Sequence, residues 1–422
     1  MSDAIPTPPD YAPPGTQPPK GALLAIFLIV LSDMVGFGII VPLLPFYAEQ
    51  YSHSAFAVGL LFSVFSLCQL IATPILGLMS DRFGRRPVLL LSQLGSSAGY
   101  LLLGFASYVH WANPLTGLIL IYISRALDGA SGGNISAAQA YISDVTTPEN
   151  RARGMGALGA AFGIGFTIGP AIGGILGHFH VVFPAIAAAT LSFVAALQTY
   201  FYLKEARVHV KSDAENWLHP SRFKPILADR ALVHMLMISF VSMGAFVMLE
   251  SIFALFLMKH FSYGELQVGL IFAYIGVVIA VVQGRLIGPL TKLFGEWKLA
   301  IVGPICVALA MVIYAQLPLL PFLGMILLGG FLNATGRSLQ TPSLSSLISK
   351  KSGEQIQGAT FGLYHMLMSL ARTIGPILAA WSYGYRTIAP FLLAAGITGL
   401  AALWTVWLRS SVSAAPVPAT SS

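Results

Sequence analysis

Charge is what this sequence has least of. Only 9% of its 422 residues are Asp, Glu, Lys or Arg, against roughly 25% in an ordinary soluble domain. So little charge cannot cover the surface of a globular protein in water, and a soluble fold is excluded. Cysteine is almost absent too. Cys68 and Cys306 both fall inside apolar runs and read as buried thiols, which excludes a disulfide framework and a cysteine-based metal centre. The nine histidines are scattered with no closely spaced ligand set, so no metal is indicated. No glycine-rich loop ends in Gly-Lys-Ser or Gly-Lys-Thr, which removes an ATP-driven pump. Nothing marks the chain as an enzyme, and no cofactor is expected.

What fills the chain instead is hydrocarbon. The sequence is 56% hydrophobic with a mean hydropathy of +0.78, arranged in runs long enough to cross a bilayer. Such runs are helices, because only a helix satisfies its own backbone in lipid without a closed barrel of short alternating strands. The net charge of +7 follows the short loops on one side, as orientation requires, and is no sign of nucleic acid.

Residues 1–20 carry seven prolines and read as a disordered cytoplasmic tail without a cleavable signal pattern. Apolar runs then place spans near 22–45, 56–79, 88–107, 117–140, 154–177 and 181–203, and near 231–257, 266–289, 298–315, 318–341, 356–379 and 388–408. The expectation is an all-α membrane protein of twelve transmembrane helices in two pseudo-symmetric six-helix bundles, 21–203 and 231–408. A linker, 204–230, joins them, and Trp217, Leu218, Phe223, Ile226 and Leu227 suit either a short interfacial helix or a solvated segment. A disordered tail, 409–422, follows. Seventeen lysines and arginines fall in the loops and tails assigned to one side, whereas Lys259 and Arg386 alone face the other. That asymmetry puts both termini in the cytoplasm.

One short turn organises this topology. Gly77-Leu78-Met79-Ser80-Asp81-Arg82-Phe83-Gly84-Arg85-Arg86-Pro87 lies between two apolar runs, and its arginines must sit at a membrane surface. Asp81 ends one helix and the arginines begin the next, so the charges either pair across helix ends or only mark the side. Val58-Gly59-Leu60 and this turn are echoed by Val268-Gly269-Leu270 and by Gly288 through Lys298. In the echo, Thr291 is read as standing where an acid would match Asp81. A duplicated chain is implied.

The ionisable residues inside spans carry the functional reading, because a charge at that depth needs a partner or an aqueous cavity. Asp33 lies near the middle of the first span and can load and release a proton, or pair permanently with Arg125. Arg125 and Asp128 are three apart, on one helical face, followed by Gly129, Ser131, Asn134 and Gln139. Glu250 is placed as a second proton site, a ligand for a cation, or a solvated interfacial acid. Arg285 is near enough to a helix end to snorkel, whereas Arg337 and Arg372 must reach a cavity or a partner. Their excess over Glu250 favours anionic or zwitterionic cargo. Phe37, Tyr141, Phe246, Tyr274, Tyr364 and Trp381 are candidates for stacking on a substrate or for packing.

The fifth span contains Gly165, Gly169, Pro170, Gly173 and Gly174, small residues that let helices approach and a place to bend. Gly358, Gly362 and Gly375-Pro376 repeat it weakly in the eleventh.

With these motifs stated, the chain resembles the major facilitator superfamily over essentially all twelve spans. Gly77, Asp81, Arg82, Gly84, Arg85 and Arg86 look like its loop between the second and third spans, which latches the bundles on the cytoplasmic side. Arg125 to Gly133 resembles its proton-coupling motif, and Gly159 to Gly174 its antiporter motif. Asp33 with Gly36, Gly38, Pro42 and Pro45 resembles the twelve-span drug:proton antiporters, tetracycline exporters among them. The resemblance implies proton-driven efflux of a small amphipathic compound by a bacterial inner-membrane monomer. Asp33, Arg125, Asp128 and Glu250 would handle protons, and Phe37, Asn134, Phe246, Arg337, Tyr364 and Arg372 the substrate. Import or exchange of an organic anion or another small metabolite is the alternative.

Overall fold

A computed structural model describes residues 22–132, 134–146, 148–205 and 224–413, with the side chains of 22, 134–136, 148–153, 354–355 and 412–413 left aside. The N-terminal tail, residues 414–422, most of the linker and the side chain of Asn134 therefore lie outside the described residues, while 409–413, read from the sequence as the start of a disordered tail, continue the last helix. Every regular element in the described part is helical.

The chain opens with α1 (Ala22–Ile40), which passes through a 3-10 turn at Val41–Leu43 into α2 (Leu44–Glu49). Pro42 and Pro45 cause that change of pitch, since each lacks an N–H for the α-helical ladder. Next, α3 (Ala55–Phe83) starts at Ser54, whose side chain accepts the Phe56 N–H, and stops at Gly84. Gly84 has φ 101°, a conformation that favours glycine. There α4 (Arg85–Tyr108) begins at once. The fourth predicted span is two pieces: α5 (Pro114–Ser131), capped by Asn113, and α6 (Asn134–Val145), separated near Gly132. The Gln69 amide donates to the Gly132 carbonyl at 3.1 Å, so the break in the ladder is satisfied from α3. The first half closes with α7 (Pro148–Phe179) and α8 (Val182–Tyr202).

A short α9 (Lys224–Ala228) precedes α10 (Arg230–Phe261). Then α11 (Glu265–Val281) runs through a π-helical turn at Val282–Leu286 into α12 (Ile287–Phe294), and Gly295 (φ 78°) hands over to α13 (Glu296–Gln316). The π turn carries Arg285, which is exposed, in keeping with a snorkelling side chain. The tenth and eleventh predicted spans form α14 (Leu323–Tyr385), divided at Gly353, where φ is 61°. The chain ends in α15 (Ala389–Ser413).

Among the described residues, nine helices are long and apolar enough to cross a membrane on their own. The other three spans are α5 with α6 and the two parts of α14. Those are the spans that carry Arg125 and Asp128, Arg337, and Arg372.

The chain divides into two compact units, 1–214 with 251–280, and 215–250 with 281–422. In the first, Ile26, Ile29, Leu89, Ala138, Tyr141 and Ile142 build the core. Tyr141, a candidate for stacking or for packing, is 1% exposed and part of this core. The second unit's core joins Ile226, Leu236, Ala300, Ile348 and Leu408. Ile226 of α9 is buried there while its neighbour Leu227 is exposed, so the described end of the linker docks on protein. Trp381 is exposed and meets the Tyr385 ring edge to face. The many outward leucines and phenylalanines of α3, α4, α8, α13 and α15 suit lipid, where apolar surface carries no penalty. Cys68 and Cys306 are half-buried free thiols.

Candidate functional site

In the first unit the ionisable span residues converge. Asp33 on α1, Arg125 and Asp128 on α5 are all buried. The three-residue spacing aims Arg125 and Asp128 the same way, and Arg125 Nη1 donates to Asp128 Oδ2 at 3.0 Å. Glycine brings α4 close enough to complete the group: a Cβ on Gly99 would lie 3.1 Å from the Ser124 carbonyl oxygen and 3.2 Å from the Asp128 nitrogen. That approach sets the Tyr100 ring 5.4 Å from the Arg125 guanidinium and brings the Tyr100 and Ser96 hydroxyls to Asp128. Asp33 acts electrostatically on the same tyrosine. Arg125 Nε and Nη2 make no hydrogen bond to a described residue. Asp128 is thus paired with Arg125, and Asp33 is a second buried carboxylate of the same unit, a group that can take up and release a proton at membrane depth. Phe37, one turn from Asp33, packs on Phe65 at 5.5 Å and Phe166 at 5.9 Å.

The glycine-rich α7 presents two stripes. Gly165, Gly169 and Gly173 face α1, and a Cβ on Gly169 would meet the Gly38 Cα at 2.7 Å and the Val35 carbonyl oxygen at 2.9 Å. Gly174 and Pro170 face α11: a Cβ on Gly174 would lie 2.9 Å from the Gly269 Cα. The weaker copy is not a packing stripe throughout. A Cβ on Gly375 would lie 3.0 Å from the Gly244 carbonyl oxygen, but one on Gly358 or Gly362 would meet nothing within 4 Å.

The charged turn is a network, not a marker alone. Arg85, 6% exposed, pairs through Nη1 with Asp81 at 2.7 Å, through Nε with Asp144 at 3.0 Å, and donates to Ser80 Oγ at 2.5 Å. The Asp81–Arg85 pair spans the end of α3 and the start of α4, as the sequence suggests. Glu205 then accepts the backbone N–H groups of Arg85 and Arg86 at 2.8 and 3.1 Å, capping α4 from the segment after α8. A Cβ on Gly84 would lie 2.7 Å from the Glu205 Cδ, so this cap needs glycine. Arg86 donates to the Tyr200 carbonyl and stacks over the Tyr200 ring at 5.5 Å. Arg82 is exposed and lies over the Phe83 ring, and a Cβ on Gly77 would meet nothing within 4 Å. Sequence reasoning missed Asp144 and Glu205.

The positive-φ glycines also correct the register of the repeat. Gly84 matches Gly295, so Asp81 matches Lys292 and not Thr291, and Arg85 matches Glu296. Glu296 accepts from Lys350 Nζ at 2.6 and 2.7 Å and from Ser346 Oγ at 2.6 Å.

In the second unit α10 and α14 face each other with matched spacing. Ser239, Ser242, Met243 and Phe246 follow i, i+3, i+4, i+7, as do Arg337, Gln340, Thr341 and Leu344. A cleft between the helices is lined by Ser239, Ser242, Arg337, Gln340, Tyr364 and Met368. Arg337 lies 4.0 Å from the Phe246 ring centroid, and Gln340 donates to Ser242 Oγ at 2.7 Å. Tyr364 is buried. Glu250 is half-buried within the fields of Arg372 and Arg337, while Arg372 is exposed. Tyr274 is half-buried. The described residues hold no group of three metal-ligating side chains.

Comparison with known proteins places this arrangement. The chain is 32% identical over 376 residues to the class C tetracycline resistance protein of Escherichia coli, covering 86% of this chain and 90% of the relative. It is 29% identical over 403 residues to multidrug resistance protein 2 of Bacillus subtilis (strain 168), covering 90% and 95%. Among solved structures it is similar to the human organic anion transporter MFSD10 (TETRAN), at 26% identity and a TM-score of 0.67 over 92% of this chain and 100% of that one. A bacterial homologue of the lysosomal transporter Spinster shares the fold at 16% identity, with a TM-score of 0.75 over 95% of this chain and 99% of that one. A transporter with no catalytic machinery fits the buried charges. The family profile matches residues 26–367 and again 286–421, and the chain, a twelve-span membrane transporter, belongs to the Major Facilitator Superfamily.

Proposed function

We propose that the protein is a proton-coupled antiporter that exports a small amphipathic compound, of the kind its relatives' names point to, by alternating access. The observation that carries this reading is the pair of buried carboxylates in the first unit, Asp33 on α1 and Asp128 beside Arg125 on α5. In this scheme Asp33 takes up and releases the proton, while Arg125 and Asp128 set how readily it does so. Glu250, facing two arginines, is the second site where a proton or a substrate charge registers. Phe37, Asn134, Phe246, Arg337, Tyr364 and Arg372 contact the substrate. Both termini lie in the cytoplasm of a bacterial cell and the protein works as a monomer. The Asp81–Arg85 turn holds the cytoplasm-closed state, and α7 slides on its glycine stripes as access alternates.

The test is proton release. Proteoliposomes carrying the protein, with a pH-sensitive dye inside, should show a proton movement on addition of tetracycline or another amphipathic substrate. Asp33→Asn should abolish that movement at normal expression. Coupled transport that survives in Asp33→Asn would remove Asp33 as the carrier.

A further inference from the structure

The end of α2 and the end of α10 are fastened by one acid and two bases. Glu49, in the last turn of α2, meets His53 Nδ1 through Oε1 at 2.5 Å. Lys259, in the last turn of α10, lies 3.8 Å from Glu49 Oε2 and donates to the His53 carbonyl oxygen at 2.8 Å. Glu49 Oε2 is buried and makes no hydrogen bond to a described residue, so Lys259 supplies its compensating charge. The His53 ring is 82% exposed and open to the pH of the solvent. Neighbouring ionisable groups face elsewhere. His260 stacks on Phe256 with centroids 4.5 Å apart, Tyr263 packs on Phe261, and the Tyr51 hydroxyl donates to the Ala106 carbonyl. Glu265 lies against α7, where a Cβ on Gly177 would come 2.9 Å from its own Cβ.

The division of the chain gives this fastening its consequence. Residues 251–280, the far end of α10 and most of α11, belong to the first unit, while the start of α10 belongs to the second. Two attachments hold 251–280 to the first unit: the close glycine contact of α11 on α7, through Gly174 and Gly269, and the grip of Lys259 on Glu49 and His53. Of these two, only the second carries charge. Histidine is the side chain that gains a proton as pH falls from about 8 to 5. With the imidazole neutral, the Glu49 charge is free to attract Lys259. With an imidazolium, Glu49 is neutralised within its own segment, and the residue whose carbonyl holds Lys259 becomes a cation that repels it. Protonation of Glu49 at still lower pH acts in the same direction. The grip is therefore complete above the histidine range and is lost as pH falls through it.

We infer that Glu49, His53 and Lys259 form a pH-sensitive clasp on the side opposite the termini, which holds 251–280 to the first unit when the exterior is neutral and releases it when the exterior is acidic. The inference rests on the antiport reading, in which an acidic exterior supplies the driving proton, and it adds a second place where that proton acts: it eases opening on the side from which it comes. Exposed pairs are weak, so the ratio of released to held protein should change by about two- to fivefold.

The experiment uses the full-length protein in lipid nanodiscs, with Cys68→Ser and Cys306→Ser and with spin labels at Gln50→Cys and Ser262→Cys, two exposed positions near the clasp. An Asp33→Asn background keeps the proposed proton carrier out of the pH response. Double electron–electron resonance should record a short distance at about pH 7.5 and a growing longer one at about pH 5.5, on either side of the histidine range. The long-to-short ratio should rise about two- to fivefold. His53→Gln should keep the short distance at both pH values, and Lys259→Met should raise the longer one at both. Exchanging the charges, Glu49→Lys with Lys259→Glu, should reverse the response so that acid tightens the clasp, which a merely structural contact would not do. Amide hydrogen exchange of 50–54 and 259–264 needs no label, should follow the same order, and tests the clasp where the labels disturb the fold. A parent protein without an acid response, an acid response that persists in His53→Gln, or an unreversed response in the charge exchange each overturns the clasp. Coupled transport that survives Asp33→Asn defeats the coupling scheme and leaves the clasp standing, since the clasp is read as a distance and not as transport.

Discussion

Arg85→Gln should destabilise the protein far more than the same change at Arg86 or Arg82, although the three arginines lie within five residues. Arg85 is 6% exposed and balances two carboxylates, Asp144 at 3.0 Å and Asp81 at 2.7 Å. Glutamine keeps the backbone N–H to Glu205 but leaves both acids without their cation. Removing one partner of a fully buried pair costs about 3–5 kcal/mol. The Asp144 and Asp81 side chains are 17% and 36% exposed, so water takes up part of that cost and about 2–3 kcal/mol is expected. Arg86 would lose a ring contact and one bond to a carbonyl, worth about 1 kcal/mol together. Arg82, on the surface against Phe83, would lose about 0.5 kcal/mol or less. The assay is the thermal unfolding midpoint of each purified variant in one detergent. At about 2–4 °C per kcal/mol, Arg85→Gln should fall by roughly 4–12 °C and Arg82→Gln by less than about 2 °C. The double variant Arg85→Gln/Asp144→Asn should recover part of the loss, because the stranded acid is gone. Equal shifts for all three arginines, or no recovery in the double variant, would refute the network and return the turn to a marker of sidedness.

Three further outcomes follow from other contacts. Gly169→Ala places a methyl 2.7 Å from the Gly38 Cα and should lower folded yield and midpoint, by about 1–3 kcal/mol of overpacking, whereas Gly156→Ala, with nothing within 4 Å, should be neutral or slightly stabilising. Glu205→Gln should cost about 1 kcal/mol through the lost carboxylate cap and speed hydrogen exchange at the Arg85 and Arg86 amides, which midpoint and mass spectrometry would read. Lys350→Glu, facing Glu296, should lower the midpoint modestly, since Lys350 is 66% exposed and such pairs are worth about 0.2–1 kcal/mol. Glu296→Lys added to it should restore most of that loss, and failure of the swap to recover anything would deny the pairing.

What could be read without coordinates were features that repeat locally. The twelve apolar runs, the Gly165–Gly169–Gly173 stripe and the three-residue spacing of Arg125 and Asp128 all declare themselves within one helix. The partners of Arg85 did not. Asp144 is 59 positions away and Glu205 about 120, and each is a single acid at a helix end that reads as solvated. Ser239, Ser242 and Gln340 were missed for a different reason: a lone serine or glutamine in a span is ordinary interhelical glue. Only the matched spacing of two stripes, with Arg337 on one and Phe246 on the other, marks a shared cleft. Continuity was overread where a helix is interrupted near Gly132, inside the span placed at 117–140, whereas the break at Gly353 falls between two predicted spans. The register of the repeat was misread for want of φ angles, which single out Gly84 and Gly295 as equivalent.

That register exposes a physical regularity in the two turns. Asp81, Arg85 and Asp144 of the first become Lys292, Glu296 and Lys350 in the second, every sign reversed. The spacing supports the match, since Asp144 and Lys350 are separated by 206 residues, as are Pro170 and Pro376. The helix dipole makes the two polarities unequal. A cation at the first position of α4 opposes the partial positive charge of that helix terminus, and no acid lies in its first turn. The carboxylate of Glu205 has to come from beyond α8 to cap it. At the start of α13 the residue is already an acid, which the same terminus favours, and Lys350 and Ser346 need only hold its side chain. Among the described residues the first turn is consequently tied through α3, α6, α8 and the chain after α8, whereas the side-chain bonds of Glu296 run to α14. Among the described residues the first turn centres on buried Arg85, whereas the second centres on Glu296, 17% exposed, with Lys350, 66% exposed. The sign of a single residue after each glycine, Arg85 or Glu296, decides which turn is the firmer hold.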